Sequence, residues 1–251
     1  MTSAKPLIYK LLTLALLLFA SLGASARTYI VAVGIGDYSD FPTKVKTLRL
    51  PPGDAQVMVD IFAGYTNVDY VLLKDRQATQ DRIIRAMKKV FREAKADDAV
   101  IFFFSGHGYP GGFCAADGNI TYKQVREAMA VSQSKNKMMF IDACRAGGVR
   151  VEANKKKATQ ASDAARKANV MLFLSSRNNE NSIERRDMTN GLFTTYLREG
   201  MRGAADANND RIVTAKELFN YVNSNVARAS SGRQHPVMWG NFSDNMTVIR
   251  Y

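Results

Sequence analysis

Apolar runs of strand length alternate with amphipathic stretches along most of this chain. RTYIVAVGIG (27–36), VDYVLL (68–73), DAVIFFF (98–104), KMMFID (137–142) and NVMLFLSS (169–176) are rich in aliphatic, β-branched and aromatic residues and read as strands. Between them, DAQVMVDIFAGY (54–65), TQDRIIRAMKKVFREAKA (79–96) and TYKQVREAMAV (121–131) carry helical periodicity, the last opened by a Thr121/Gln124 capping box. Two further helices are expected over 190–201 and 214–229, and a final strand near NMTVIR (245–250). Strands alternating with helices predict an α/β fold: a mostly parallel central sheet with helices on both faces. The rhythm breaks between Arg145 and Lys167, RAGGVRVEANKKKATQASDAARK, which has no apolar period to bury. It is expected to be a flexible, basic surface loop.

The first 26 residues differ from the rest. Lys5 and Lys10 precede LLTLALLLFASLG, and small residues Ala24-Ser25-Ala26 follow. A basic start, a short apolar stretch and a small-residue cleavage point predict a secretory signal spanning 1–26, with 27–251 as one working domain that is secreted or periplasmic. A retained membrane anchor is the alternative; after signal removal no stable membrane association is expected. The remaining length and the 46% apolar content suit a globular domain with a sizeable core. The formal charge of +12 fits either acidic partners or a solvated basic face, and no nucleic-acid motif accompanies it, so no nucleic-acid partner is expected. With two cysteines, Cys114 and Cys144, the fold does not depend on a disulfide framework.

The chemistry gathers at two strand ends. FFFSGHG (102–108) runs an apolar strand into His107 held between glycines, and MMFIDACRAGG brings the next strand to Cys144, 37 residues later. In an open parallel sheet, neighbouring strands deliver such tips to one edge. An imidazole beside a thiol is a base beside its nucleophile. Gly108 leaves its backbone N–H open to a reacting oxygen, and with the N–H of Cys144 it would form an oxyanion hole. Taken singly, each residue also fits a bland role: a buried structural cysteine and a loop histidine.

SGHG after one strand and DACRAGG after the next resemble the caspase-type cysteine peptidases (family C14), and more closely their metacaspase-like bacterial relatives, the orthocaspases. The caspase pattern Q-A-C-[RQG]-G has its histidine about 50 residues upstream; here Asp142 replaces the glutamine and Ala146 stands at the final glycine. The resemblance implies the caspase-hemoglobinase fold, a His107–Cys144 dyad, and proteolysis of protein or peptide substrates with basic residues. In metacaspases the primary pocket holds Arg or Lys by an aspartate two before the cysteine, a serine two before the histidine and an aspartate in the first loop-to-helix turn. Those positions are Asp142, Ser105 and Asp54. Paired, charge-assisted hydrogen bonds from a guanidinium to buried carboxylate suit that assignment. Asp54 also fits a plain role at the start of the helix DAQVMVDIF. Cleavage after Arg or Lys would make the 145–167 loop a self-processing site.

Residues 206–217, DANNDRIVTAKE, place Asp206, Asn208, Asp210 and Glu217 at four ligand positions of an EF-hand loop, but Arg211 stands where glycine belongs. Read structurally, the same residues are turn formers followed by a Thr214/Glu217 capping box. No metal ligand set is assigned and no cofactor is required for the chemistry, with calcium as a possible activator. His235, before a proline, reads as a packing or surface residue, and Cys114 as a bystander or an oxidation partner of Cys144. Asp37, Tyr38 and SSRNNENS (175–182) are expected to line the cleft. The competing functional reading is a caspase-fold module that binds or scaffolds without catalysis.

Overall fold

The computed structural model describes residues 26–65, 67–109, 111–143, 170–177, 180, 182–183 and 187–251. A six-stranded sheet runs β10-β8-β7-β3-β1-β2, formed by β1 (Thr28–Gly34), β2 (Val68–Lys74), β3 (Ala99–Gly106), β7 (Asn136–Ala143), β8 (Val170–Leu174) and β10 (Val237–Trp239). All neighbouring pairs are parallel except β10 on β8. The five expected strands of the central sheet are therefore present within a few residues of their predicted bounds.

Each central strand is apolar on both faces because helices cover both. Val100, Phe102 and Phe104 of β3 join one core with Ile83, Met87 and Phe91 of α2 (Gln80–Arg92) and Val125 and Met129 of α3 (Tyr122–Ala130). The alternate residues Ile101 and Phe103 join the opposite core with Met58 and Phe62 of α1 (Pro51–Ala63), Phe193 and Leu197 of α4 (Leu192–Glu199), and Leu218 and Val222 of α5 (Ala215–Ala229). The period-two side-chain alternation of a strand thus feeds two separate cores. Capping boxes start α3 at Thr121/Gln124 and α5 at Thr214/Glu217, as their spacing predicts.

Three features depart from the sequence expectations. After β3 the chain builds a small antiparallel sheet of β4 (Gly108–Tyr109), β5 (Gly112–Ala115) and β6 (Gly118–Thr121) before α3 begins. The expected last strand is β11 (Thr247–Arg250), but it pairs antiparallel with β9 (Ile212–Thr214) in a separate ribbon. β10, preceded by Pro236, supplies the antiparallel edge strand.

One close approach fixes the position of α1. A Cβ on Gly34, at the end of β1, would sit 2.0 Å from the Pro51 carbonyl oxygen and 2.9 Å from the Ala55 methyl group. Only glycine lets the first turn of α1 lie against the strand end, and that turn carries Asp54. The expected signal over 1–26 and loop over 145–167 lie, apart from Ala26, outside the described residues.

Candidate active site

The strand order reverses at β1: β2 lies on one side and β3, β7 and β8 on the other. Ligands of open α/β sheets bind beyond the carboxyl ends of strands at such a switch point. There the register pairs Gly34 with Ser105 and Ser105 with Asp142, so the ends of β1, β3 and β7 are level.

Two carboxylates are buried side by side at this edge. Asp54 reaches in from α1 and Asp142 from β7, and they are 1% and 5% exposed. Asp54 Oδ2 accepts from Ser105 Oγ (2.8 Å), while its Oδ1 accepts from Asn190 Nδ2 and from the Gly191 N–H, both at 3.0 Å. Asp142 Oδ2 accepts from Thr194 Oγ1 (2.8 Å) and the Thr194 N–H (3.3 Å), and its Oδ1 accepts a very short bond from Ser182 Oγ. Gly191 is the N-cap of α4 and Thr194 its third residue, so the positive end of that helix faces both carboxylates.

Burial is the largest influence on each carboxyl and raises both acidities' pKa values. The Asp142 charge adds to the rise at Asp54, which reaches about 8, and the hydrogen bonds pull each back only in part. The pair therefore holds a proton to higher pH than ordinary carboxyls do. A Cβ on Gly191 would come within 2.5 Å of Asp142 Oδ2 and 3.3 Å of Asp54 Oδ2, so both oxygens converge where only a side-chain-free residue fits. They border a pocket of about 40 Å³ that Leu48, Pro51, Ser105 and Ser182 help to line. A larger cleft of about 650 Å³ includes Arg27, Ala99 and Asn136, at the opposite ends of the strands from Ser105 and Asp142.

His107 follows β3 directly. Its Nε2 lies 2.6 Å from the Lys46 carbonyl oxygen. A carbonyl can only accept, so Nε2 carries the hydrogen and Nδ1 is the basic nitrogen of the neutral ring. The His107 backbone N–H donates to Tyr38 Oη at 2.7 Å, and the two rings lie 4.9 Å apart between centroids. Burial pushes the Tyr38 phenol far above its usual range, which keeps it neutral. Tyr38 is thus beside the histidine, as expected, whereas Asp37 is turned to Arg76 and Ser39.

Among the predicted site residues, the fold brings Asp54, Ser105 and Asp142 to one pocket, with His107 next along the chain from its Ser105–Gly106 wall. Gly108 is the first residue of β4. Cys144 lies outside the described residues, one position beyond the end of β7. The plain reading of Asp54 holds in part: α1 begins at Pro51 with Leu50 as N-cap, so Asp54 lies in the first turn rather than at the helix start, and its carboxylate is engaged by Ser105, Asn190 and Gly191. Cys114 is buried, and burial pushes its thiol up to about 11, which suppresses thiolate formation. His235 pairs through Nδ1 with Glu180 at 2.8 Å.

In the 206–217 loop, Asp206 accepts from the N–H groups of Asn209, Asp210 and Arg211 and from Tyr251 Oη. Arg211 takes the positive φ of 62° at the place where an EF-hand has glycine, and Glu217 caps α5. Among the described residues, no group of three or more His, Cys, Asp or Glu is arranged to hold a metal ion. Sequence reasoning missed Lys46, Asn190, Gly191 and Thr194. The Asn-Gly pair ahead of an amphipathic run was a helix-start signal for the last three; a carbonyl contribution from Lys46 leaves no residue-type signature.

No curated protein matches the chain. A crystal structure of a protein from Geobacter sulfurreducens superposes with a TM-score of 0.61 at 16% identity, covering 86% of this chain and 94% of that one, and shares its fold. The caspase domain model of the C14 peptidases matches residues 27–246. That match spans all of the central sheet and every residue of the carboxylate pocket, and the chain belongs to the caspase domain family of cysteine peptidases.

Proposed function

We propose that this protein is a secreted cysteine endopeptidase that cuts after Arg or Lys, with Cys144 as nucleophile and His107 as its base. The observation that carries the proposal is the buried Asp54–Asp142 pair, opening on a pocket whose wall continues into His107. A carboxylate pair under a narrow pocket is costly when empty and favourable when a cation fills it. A guanidinium or ammonium entering there displaces the retained proton and makes charge-assisted hydrogen bonds. An acidic side chain would meet repulsion instead.

In this reading, Nδ1 of His107 takes the Cys144 thiol proton while the Lys46 carbonyl holds the ring through Nε2–H. The thiolate adds to the scissile carbonyl, and the Gly108 and Cys144 N–H groups stabilise the oxyanion. The imidazolium returns the proton to the departing amine, and water then hydrolyses the thioester. The reaction needs no metal; calcium is an activator to be tested. The basic segment 145–167 supplies the enzyme's own processing sites, and the first 26 residues act as the export signal.

A fluorogenic peptide panel with Arg, Lys or Asp before the bond, with and without calcium, tests the activity. Turnover is expected on Arg and Lys peptides, lost in Cys144→Ala and reduced about 10²–10⁴-fold in His107→Ala. Preferential turnover on Asp contradicts the pocket assignment, and the absence of cysteine-dependent turnover on every peptide favours a binding or scaffold module. On gels, wild-type protein is expected to break between Arg145 and Lys167 while Cys144→Ala stays intact; identical fragmentation of the two rejects self-processing.

The carboxylate pair also sets a pH dependence of stability. The Asp54 carboxyl rises from an unfolded value of about 3.9 to about 8 in the folded chain, so the folded state holds the proton more tightly. The resulting stabilisation is complete below about pH 4 and is lost as pH climbs through about 8. The melting temperature of unliganded Cys144→Ala should fall across that window, and adding Asp54→Asn should flatten the fall. An unchanged slope in the double variant contradicts the assignment.

A further inference from the structure

Gln234 is 0% exposed and its side-chain amide bridges two separate stretches of chain, at Ser175 and at 182–183. Its Oε1 accepts the Ile183 N–H at 3.0 Å. Its Nε2 donates to the Ser175 carbonyl at 2.9 Å and to Ser182 Oγ at 3.4 Å. The backbone of Gln234 is held in turn by Ser230, whose hydroxyl accepts the Gln234 N–H at 3.0 Å. A buried amide with every group matched is an organising centre, because any lost partner leaves an unpaired polar atom in the core.

Each partner of Gln234 leads to the active edge. Ser175 follows β8, and its hydroxyl spans both the N–H and the carbonyl of Ala143, the residue before Cys144. Ser182 and Ile183 line the carboxylate pocket. The next residue, His235, grips the same segment from its other end, donating its backbone N–H to Glu180 Oε2 at 2.7 Å and pairing its ring with Glu180 Oε1. Glu180 and Ile183, on either side of Ser182 in sequence, are therefore both fastened.

A serine hydroxyl has one hydrogen and two lone pairs. With the amide of Gln234 directed at its oxygen, the hydrogen of Ser182 is left for Asp142 Oδ1, the acceptor it meets in the structure. We propose that Gln234 is a positioning residue for the cation pocket, orienting the Ser182 hydroxyl so that its hydrogen is committed to Asp142 Oδ1, which together with the two Thr194 bonds to Oδ2 fixes that carboxylate where it borders the pocket. The inference rests on the peptidase reading and adds to it a specificity-determining pair, Gln234 and Ser182, which do no chemistry themselves. Loss of either is felt in how a basic side chain is held, and much less in bond cleavage.

A double-mutant cycle on full-length protein tests this with a peptide bearing Arg before the bond. Gln234→Met keeps the side-chain length and removes the amide; Ser182→Ala removes the hydroxyl. Each is expected to raise KM about tenfold, the scale of one lost hydrogen bond, with kcat little changed. The double variant should be no worse than the poorer single one, since both break the same relay. Ser182→Thr, which restores the hydroxyl, should restore KM. Should Gln234→Met fail to fold, Gln234→Glu, which retains an acceptor for Ile183, takes its place in the cycle. Additive losses, or a KM unchanged while kcat falls, overturn the Gln234 assignment and leave the peptidase reading intact. A wild-type protein that does not turn over the Arg peptide overturns that reading itself.

Discussion

Burying two carboxylates against each other is the costliest feature of this protein, and much of the surrounding architecture is arranged to make it tolerable. An unpaired buried charge costs several kcal/mol, on the order of the whole stability of a domain. Here the cost is spread. The N-terminal turn of α4 turns N–H groups onto both residues, Ser105 and Asn190 serve Asp54, and Thr194 and Ser182 serve Asp142. The hydrogen bonds offset the cost only in part, and burial still raises both pKa values. Gly34 and Gly191 are part of the same arrangement, since each removes a side chain where backbone or carboxylate must pass.

The parallel sheet makes that arrangement possible. Strand register places Ser105 level with Asp142 and puts His107 one step beyond the strand end. His107 is then held by two groups from the loop after β1, its ring through Nε2 by the Lys46 carbonyl and its backbone N–H by the Tyr38 hydroxyl. Asp54, Ser105, Asp142 and His107 are consequently held at one edge of the sheet, by residues from the loop after β1, α1, β3, β7 and α4. The caspase domain match covers every one of these residues.

Much of this was legible before any coordinates. Strands β1, β3, β7 and β8 stand out because both of their faces are buried, so their middles are near-continuous apolar runs. Thr121/Gln124 and Thr214/Glu217 announced two helix starts through side-chain chemistry that acts within one turn. Asp142 and Ser105 are grouped through the resemblance to metacaspases, and the β3–β7 register sets them opposite each other. The small β4–β5–β6 sheet was missed because its strands are short and glycine-bounded, although Asp117-Gly118 carried a hairpin signal. Lys46 acts through a backbone oxygen, which no residue type advertises. Asn190, Gly191 and Thr194 meet the carboxylates across more than 50 residues of sequence, so the expected helix start at 190 did not reveal which side chains its first turn would face. The path from Gln234 through Ser182 to Asp142 is likewise a product of tertiary packing alone.

Proton uptake or release on ligand binding probes the carboxylate pair without any turnover. Calorimetric titration of Cys144→Ala with a peptide aldehyde or acid ending in Arg, repeated at neutral pH in buffers of different ionisation enthalpy, reports that quantity directly. The account predicts binding with net proton release, weakened and made buffer-independent in Asp142→Asn. Binding with no proton release, or equal affinity for a peptide ending in Asp, would contradict it.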